Sequence, residues 1–123
     1  MKRPKVSHIK QARRESFFYS ELASLFVKIV QDDKALLPLS ISRVELSDKG
    51  SLCTVYFTCE RGLEQFRQLL PALLLYKPAL RHALSQAIEK RRCPELVFSY
   101  DAALEKAREI ESIFESLPEM PEE

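Results

Sequence analysis

Residues 39–59, LSISRVELSDKGSLCTVYFTC, decide the fold because they hold two strand-forming stretches separated by a turn sequence. Alternating and β-branched residues predict one strand from about residue 39 to 46 and a second from Leu52 to about Cys59. The intervening segment, residues 47–51, has turn chemistry, with Gly50 suited to a positive φ. One face of the second strand is predicted to face the core, and it carries Cys53, Val55, Phe57 and Cys59. The stretch therefore predicts a β-hairpin with one buried face.

Helical spacing flanks this hairpin on both sides. Before it, from about Ile9 to Gln31, an apolar stripe at i, i+4, i+7, i+8 and i+11 predicts a first helix through Phe18, Leu22, Leu25, Phe26 and Ile29. After it, helical spacing returns between Gly62 and Tyr76, although Pro71 means that this helix either kinks there or starts later. Pro78 can serve as the first residue of a further helix, so we expect a break at residues 76–78.

A third strand and a last helix complete the pattern. Residues 95–100 predict the strand, and Asp101 is placed to cap the helix that follows. The apolar residues of this helix are Leu104, Ala107, Ile110, Ile113, Phe114 and Leu117. The order is α-β-β-α-α-β-α, and because helices must hide the apolar side of the sheet, it predicts a two-layer α+β domain. We expect a single domain over residues 1–117 and an acidic, flexible tail over residues 118–123.

The composition limits the classes of protein to which the chain can belong. With 123 residues, 46% of them hydrophobic and 30% charged, it can form one core without disulfides or a structural metal. Its cysteines, Cys53, Cys59 and Cys93, are odd in number and lack C-x-x-C spacing, which indicates reduced thiols in a cytoplasm. We expect neither export nor a membrane span. The chain has two glycines, which excludes the glycine-rich phosphate loops of nucleotide-driven enzymes.

The charge is sorted along the chain, although the formal net charge is only +1. Residues 1–14 hold six basic side chains and no acid, whereas residues 101–123 hold eight acids against Lys106 and Arg108. Further basic residues precede the predicted third strand: Lys77, Arg81, Lys90, Arg91 and Arg92. Charge runs usually form solvated faces, but this number of cations is also what a phosphate-contacting surface uses. The sequence therefore predicts a basic end, with RNA as a candidate ligand, and an acidic end.

Residues that could carry catalysis or bind a metal are few and lack partners in the sequence. His8 and His82 have no nucleophile, base or second ligand nearby, so a surface position is expected for both. Cys93 lies beside Arg91 and Arg92, which could lower its pKa, but an incidental thiol is the expectation. We therefore expect no enzymatic activity, no metal and no cofactor.

Several segments resemble the ribosome-binding factor A family of bacteria. Residues 43–47 (RVELS) and 53–57 (CTVYF) are similar to the family's hairpin signature. Residues 91–101 (RRCPELVFSYD) resemble its most distinctive run, Arg-x-x-Pro-Glu-Leu-x-Phe-x-Tyr-Asp. Residues 103–110 (ALEKAREI) are also similar to the family's last helix. The resemblance extends from about residue 13 to residue 117.

The resemblance implies a type II K-homology fold and a role in ribosome assembly. The family binds the small ribosomal subunit, assists late maturation of its ribosomal RNA and has a link to growth in the cold. The implied partners are the small subunit and its RNA, with no membrane and no DNA, and the family has neither catalytic activity nor a cofactor. The oligomeric state is open, with a cytoplasmic monomer as the default expectation. In the family a kink, usually Ala-x-Gly, replaces the nucleotide-clamping G-x-x-G loop of ordinary K-homology domains. Here the bulkier and more rigid Tyr76-Lys77-Pro78 stands at that position.

The resemblance also implies where RNA is contacted. The N-terminal basic positions, the kink and the basic corner before the third strand would act by phosphate contact, so that binding depends on salt and on RNA shape. The candidate residues are Arg3, Lys10, Arg13, Arg14, Lys77, Arg81, Lys90, Arg91 and Arg92. Two rival hypotheses stay open. One is a protein-binding adaptor or chaperone that uses an apolar helical surface around Leu69 to Tyr76, and the other is a small enzyme that uses Cys93 or His82.

Overall fold

Helices and strands follow one another in the predicted order in the computed structural model, which describes residues 6–88 and 92–116. They are α1 (Val6–Asp32), β1 (Leu39–Leu46), β2 (Leu52–Cys59), α2 (Leu63–Leu74), α3 (Lys77–Ala87), β3 (Glu95–Tyr100) and α4 (Ala102–Ser116). A 3-10 turn, Lys34–Leu36, separates α1 from β1. The predictions for Arg3, Lys90, Arg91 and the tail at 118–123 concern positions outside the described residues. None of the described helices is long and apolar enough to cross a membrane.

The strands form one mixed sheet in the order β1-β2-β3. The first two strands run antiparallel and β3 runs parallel to β2, with a bulge in β1 at Ser42. Because Leu52 lies opposite Glu95, the β1–β2 turn and the start of β3 share one end of the sheet, which we call the turn end. The last residue of β3, Tyr100, lies at the opposite end together with Asp101, and we call this the Asp101 end.

The core lies between the sheet and helices α1, α2 and α3. The predicted inward face of β2 is confirmed, since Cys53, Val55 and Phe57 are buried and Cys59 is half-buried against the core. The Phe57 ring lies at the centre, with its centroid 5.5 Å from that of Phe26 and 5.4 Å from that of Phe98. Burial raises the pKa of the Cys53 thiol to about 12, so this cysteine stays protonated and packs as a small apolar residue.

The break between α2 and α3 lies at Leu75 and Tyr76, whereas the sequence predicts it at residues 76–78, because α3 already begins at Lys77. Helix α2 begins at Leu63 and continues through Pro71, so the alternative of a later start is wrong. Pro78 is the second residue of α3, where its missing N–H would have no intrahelical acceptor.

Helix α4 packs differently from the other three. Asp101 caps it, as predicted, by accepting a 3.1 Å hydrogen bond from the Leu104 N–H. No residue of α4 is buried, however, and Ile110, Ile113 and Phe114 are 47%, 59% and 69% exposed. Among the described helices, α1 to α3 cover the inward face of the sheet, and Ile110, Ile113 and Phe114 of α4 face solvent.

Candidate nucleic-acid interface

Two hydrogen bonds fasten the N-terminal half of α1 to the end of β1. The Gln11 side-chain amide donates to the Leu46 carbonyl at 2.7 Å, and the Leu46 N–H donates to the Glu15 carboxylate at 2.7 Å. These bonds place Arg14 against the β1–β2 turn, where a Cβ on Gly50 would lie only 2.9 Å from the Arg14 guanidinium. Gly50 has a φ of 69°, as its place in the turn predicts.

The cations of this half of α1 border a shallow cavity of about 320 Å³ between the helix and the turn. Lys10 and Arg14 line it together with the acidic Asp48, and Lys10 is exposed. Arg13 is also exposed. The Arg14 guanidinium lies 5.6 Å from the centroid of the Phe18 ring, so its side chain is supported by an aromatic face.

A second group of basic residues lies where α3 meets the start of β3. Arg81 donates a long 3.5 Å hydrogen bond to the Cys93 carbonyl, and it lies 3.7 Å from the Glu95 carboxylate. Lys77 lies 3.7 Å from the same carboxylate. Arg92, between the two elements, is exposed. Glu95 therefore offsets part of the charge of Lys77 and Arg81, which the sequence did not reveal because the pairs join a strand to a helix.

The sheet register brings the two groups to the same end of the molecule. The Glu95 N–H donates to the Ser51 carbonyl at 3.0 Å, which holds the start of β3 beside the β1–β2 turn. Helices α1 and α3 also contact each other across the core. We call the set formed by Lys10, Arg13, Arg14, Arg81 and Arg92 the basic end. Its members come from both halves of the sequence, and all lie towards the turn end of the sheet.

The acidic end predicted from the sequence lies at the opposite side of the domain. Helix α4 begins at the Asp101 end and carries Glu105, Glu109, Glu111 and Glu115 against Lys106 and Arg108. Because β3 runs from the turn end to the Asp101 end, the strand separates the basic group from the acidic helix. Within the part of the chain that the structure describes, the basic and acidic residues that are separate in sequence are therefore also separate in space.

Asp101 organises the junction between the sheet and α4. Its Oδ2 accepts hydrogen bonds from the Ser42 hydroxyl at 2.6 Å and from the Arg43 Nε at 3.1 Å, while Oδ1 caps α4. Burial by itself would raise the pKa of Asp101, but the hydrogen bonds from Ser42, Arg43 and the Leu104 N–H together lower it. The Arg43 guanidinium also stacks 3.9 Å above the centroid of the Tyr56 ring. The Asp101 carboxylate is therefore charged and held in place, and its role is structural, since it joins β1 to the first turn of α4.

The residues of the enzyme hypothesis do share a cavity, one of about 320 Å³. Burial raises the pKa of Cys93 and outweighs the opposing effect of Arg81, which agrees with the expectation of an incidental thiol and not with an activated one. The Cys93 thiol donates to the carbonyls of Arg81 and Pro94 at 3.6 Å, which also favours its protonated form. His82 is exposed beside Gln86. Within the described ranges, no three His, Cys, Asp or Glu side chains are grouped as metal ligands.

The apolar surface of the adaptor hypothesis is smaller than its sequence suggests. Leu73 is fully buried, and Leu69 and Leu70 pack partly against the core. Only Leu74 and Leu75, at the break before α3, are exposed among the leucines of this stretch, at 43% and 80%. Most of the predicted surface is therefore part of the core.

The element order, the mixed sheet and the break between α2 and α3 define an α+β domain of the K-homology type, with a basic end and an acidic end. A family model described as ribosome-binding factor A matches residues 10–114. The chain therefore belongs to the ribosome-binding factor A family. That family is described by binding and not by a catalysed reaction.

Relatives and a solved structure agree with this assignment. A protein of Acidithiobacillus ferrooxidans named ribosome-binding factor A is 28% identical over 114 residues, which are 91% of this chain and 89% of that protein. One of the same name from Prochlorococcus marinus subsp. pastoris is 38% identical over 68 residues, or 55% of this chain. The matches to Prochlorococcus marinus proteins span only 52% to 61% of those proteins. The crystal structure of ribosome-binding factor A from Thermus thermophilus superposes with a TM-score of 0.57 at 29% identity, covering 72% of this chain and 92% of that one.

Proposed function

We propose that this chain is an assembly factor that binds the small ribosomal subunit and assists late maturation of its ribosomal RNA. The observation that carries the proposal is the register between β2 and β3, which gathers Arg14, Arg81 and Arg92 towards one end of the domain. Family membership supports a ribosomal partner. The expected site also includes Lys10, Arg13 and Lys77 within the described residues, and Arg3, Lys90 and Arg91 outside them.

The proposed mechanism is binding and not chemistry. Arginine and lysine side chains contact phosphates without reading base identity, so the domain recognises the path of the RNA backbone. An RNA conformation that places phosphates along the basic end gains population in proportion to its higher affinity for the protein. Arg14 is held between the turn and Phe18, which lowers the entropy that it loses on contacting a phosphate.

Co-sedimentation of the purified chain with small subunits, large subunits and free RNA, in about 50 to 300 mM salt, tests the proposal. We expect selective association with small subunits that weakens steeply as salt rises. Association that resists salt and is lost on Leu75→Ser would support the adaptor hypothesis instead, because Leu75 is its most exposed residue. Absence of association at low salt would overturn both the ribosomal role and the site.

A further inference from the structure

Helix α4 is amphipathic, but its polar side faces the domain and its apolar side faces solvent. This is the reverse of the usual arrangement of a surface helix. Arg108 and Ser112 line a polar cavity of about 500 Å³ between α4 and the loop that precedes α2. Successive helical residues are rotated by about 100°, so Ile110 and Phe114 lie on the side opposite to these two residues. Ile113 lies next to them and is 59% exposed. The stripe that usually attaches a helix to its own core therefore points away from the core.

The base of α4 is fixed to the sheet, so the stripe has a defined orientation. The buried Asp101 carboxylate connects the first turn of α4 to Ser42 and Arg43 of β1. Beside it, burial and the neighbouring Glu105 of α4 raise the pKa of Tyr100 to about 12. The Asp101 attachment at its base holds α4 as an arm that presents its apolar face outwards.

Acidic residues border this stripe on both sides. At about 100° per residue, Glu109 lies at one border and Glu111 at the other, whereas Glu105 and Glu115 lie nearer the side of α4 that faces the domain. Arg108 faces the domain, and Lys106 lies on the apolar side one turn before Ile110, so the two bordering glutamates outnumber the one cation of this face. An apolar face with acidic borders is complementary to an apolar face with basic borders.

We propose that α4 is a docking surface for a basic amphipathic segment of a protein partner. The partner's apolar side chains cover Ile110, Ile113 and Phe114, and its lysines or arginines meet the bordering glutamates. This is the helix-in-groove type of recognition, in which anchors at i, i+3 and i+4 give affinity and the flanking charges select the partner. The proposal does not depend on the ribosomal role of the basic end.

The same charges disfavour other occupants. The phosphates of RNA and the headgroups of an anionic membrane would meet the glutamates at both borders and be repelled. A second copy of the chain would bring its own glutamates against them, which opposes pairing of two α4 helices. A basic polypeptide is the occupant whose charge matches.

The test uses the full chain and a synthetic helical peptide of about 18 residues, built from leucine and lysine so that one face is apolar and the other basic. Fluorescence anisotropy measures its dissociation constant. We expect binding that weakens by about tenfold or more in the Ile110→Ser, Phe114→Ser double variant, because two apolar anchors are removed. Serine has a helix propensity close to those of isoleucine and phenylalanine, so α4 should stay helical, as circular dichroism will verify.

Matched controls distinguish binding at this surface from nonspecific binding of the peptide. Leu75→Ser removes an apolar side chain that is 80% exposed on a different surface, and it should leave peptide binding unchanged. A peptide in which glutamate replaces every lysine should not bind. Glu109→Gln together with Glu111→Gln should weaken binding of the lysine peptide by a few fold.

Three results would overturn the proposal. The first is equal peptide binding by the wild-type chain and the Ile110→Ser, Phe114→Ser variant. The second is equal binding of the lysine and glutamate peptides. The third is wild-type self-association in analytical ultracentrifugation that this double variant abolishes, because the face would then belong to a second copy. None of these measurements involves ribosomes, so failure here and failure of the ribosomal role are told apart.

Discussion

The Tyr76 hydroxyl donates a 2.9 Å hydrogen bond to the Asp33 Oδ2, which ties the break between α2 and α3 to the turn that follows α1. The other oxygen of Asp33 accepts a 3.2 Å bond from the Ala35 N–H and so caps the 3-10 turn. One carboxylate thus holds two connections of the fold.

Tyr76→Phe should therefore lower the midpoint of urea unfolding without changing the dependence of unfolding free energy on urea. Combining it with Asp33→Ala should give less than the sum of the two single effects, because the shared bond is lost only once. Equal effects of Tyr76→Phe in the wild-type and Asp33→Ala backgrounds would show that the bond contributes nothing.

The hydrogen bond to Asp33, more than burial, raises the pKa of Tyr76. The stabilisation by this bond should therefore be complete below the ordinary tyrosine pKa and decline as pH rises through the folded-state pKa.

Asp101→Ala should destabilise the domain by about 2 kcal/mol, because it removes a helix cap and leaves Ser42 and Arg43 without their buried acceptor. Asp101→Asn keeps an oxygen for the cap and should cost less. Urea unfolding at neutral pH measures both losses, and far-ultraviolet circular dichroism reports whether α4 frays. Unfolding free energies that are equal in the wild type and in Asp101→Ala would contradict the structural task given to this carboxylate.

Asp101 should also affect how the free energy of unfolding decreases as the pH is lowered. Its pKa is lower in the folded state than the ordinary carboxyl value of about 3.9, so the unfolded state takes up the proton more readily. The stabilisation is therefore complete above that value and is lost as pH falls through the folded-state pKa. Asp101→Asn should flatten the decline in unfolding free energy between about pH 4 and pH 2. A decline as steep as that of the wild type would assign the effect to other carboxyls.

Gly50→Ala should cost roughly 1 kcal/mol because the residue has a φ of 69°. Gly50→Asn should cost less, since asparagine tolerates a positive φ. A Cβ at position 50 would lie only 2.9 Å from the Arg14 guanidinium, so both side chains would displace it. Both variants should therefore weaken association with small subunits. If the asparagine variant keeps the affinity of the wild type, and only the alanine variant loses both stability and affinity, then Arg14 is not positioned by the turn.

The cysteines should differ in their rates of alkylation. Burial raises the pKa of Cys93 and raises that of Cys53 to about 12, so neither should react as fast as an unperturbed thiol at neutral pH. Cys53, which is fully buried, should react more slowly than Cys93. Mass spectrometry after timed treatment with iodoacetamide measures both rates. Alkylation of Cys93 faster than that of a free cysteine peptide would revive the enzyme hypothesis.

Local patterns predicted the elements well because each element obeys a short-range rule. The alternation over residues 52–59 identified the inward face of β2, and the turn chemistry before it identified the positive φ of Gly50. The offset stripe of α1 identified Phe18, Leu22 and Phe26 as core residues. Asp101 was recognised as a cap because a cap lies next to its helix in sequence.

Contacts between distant elements could not be predicted in the same way. An apolar stripe on α4 indicates that a partner surface exists, but it does not say whether this domain supplies that surface. The pairing of Glu95 with Lys77 and Arg81 depends on how α3 lies against β3, which neither segment encodes by itself. The bond between Tyr76 and Asp33 spans two connections and has no sequence signature. The sequence patterns therefore named the candidate cations but missed Glu95, the carboxylate that pairs with two of them.

The most direct test of the central claim is the salt dependence of small-subunit binding by an Arg14→Gln, Arg81→Gln double variant, with Lys28→Gln as a control. Lys28 is an exposed cation in the other half of α1, so its replacement removes a charge outside the basic end. If Arg14 and Arg81 contact phosphates, the double variant should bind more weakly and lose about two units from the slope of log affinity against log salt. Lys28→Gln should match the wild type. Equal affinity and slope for the wild type and the double variant would contradict the claim that the basic end is the RNA-contacting surface.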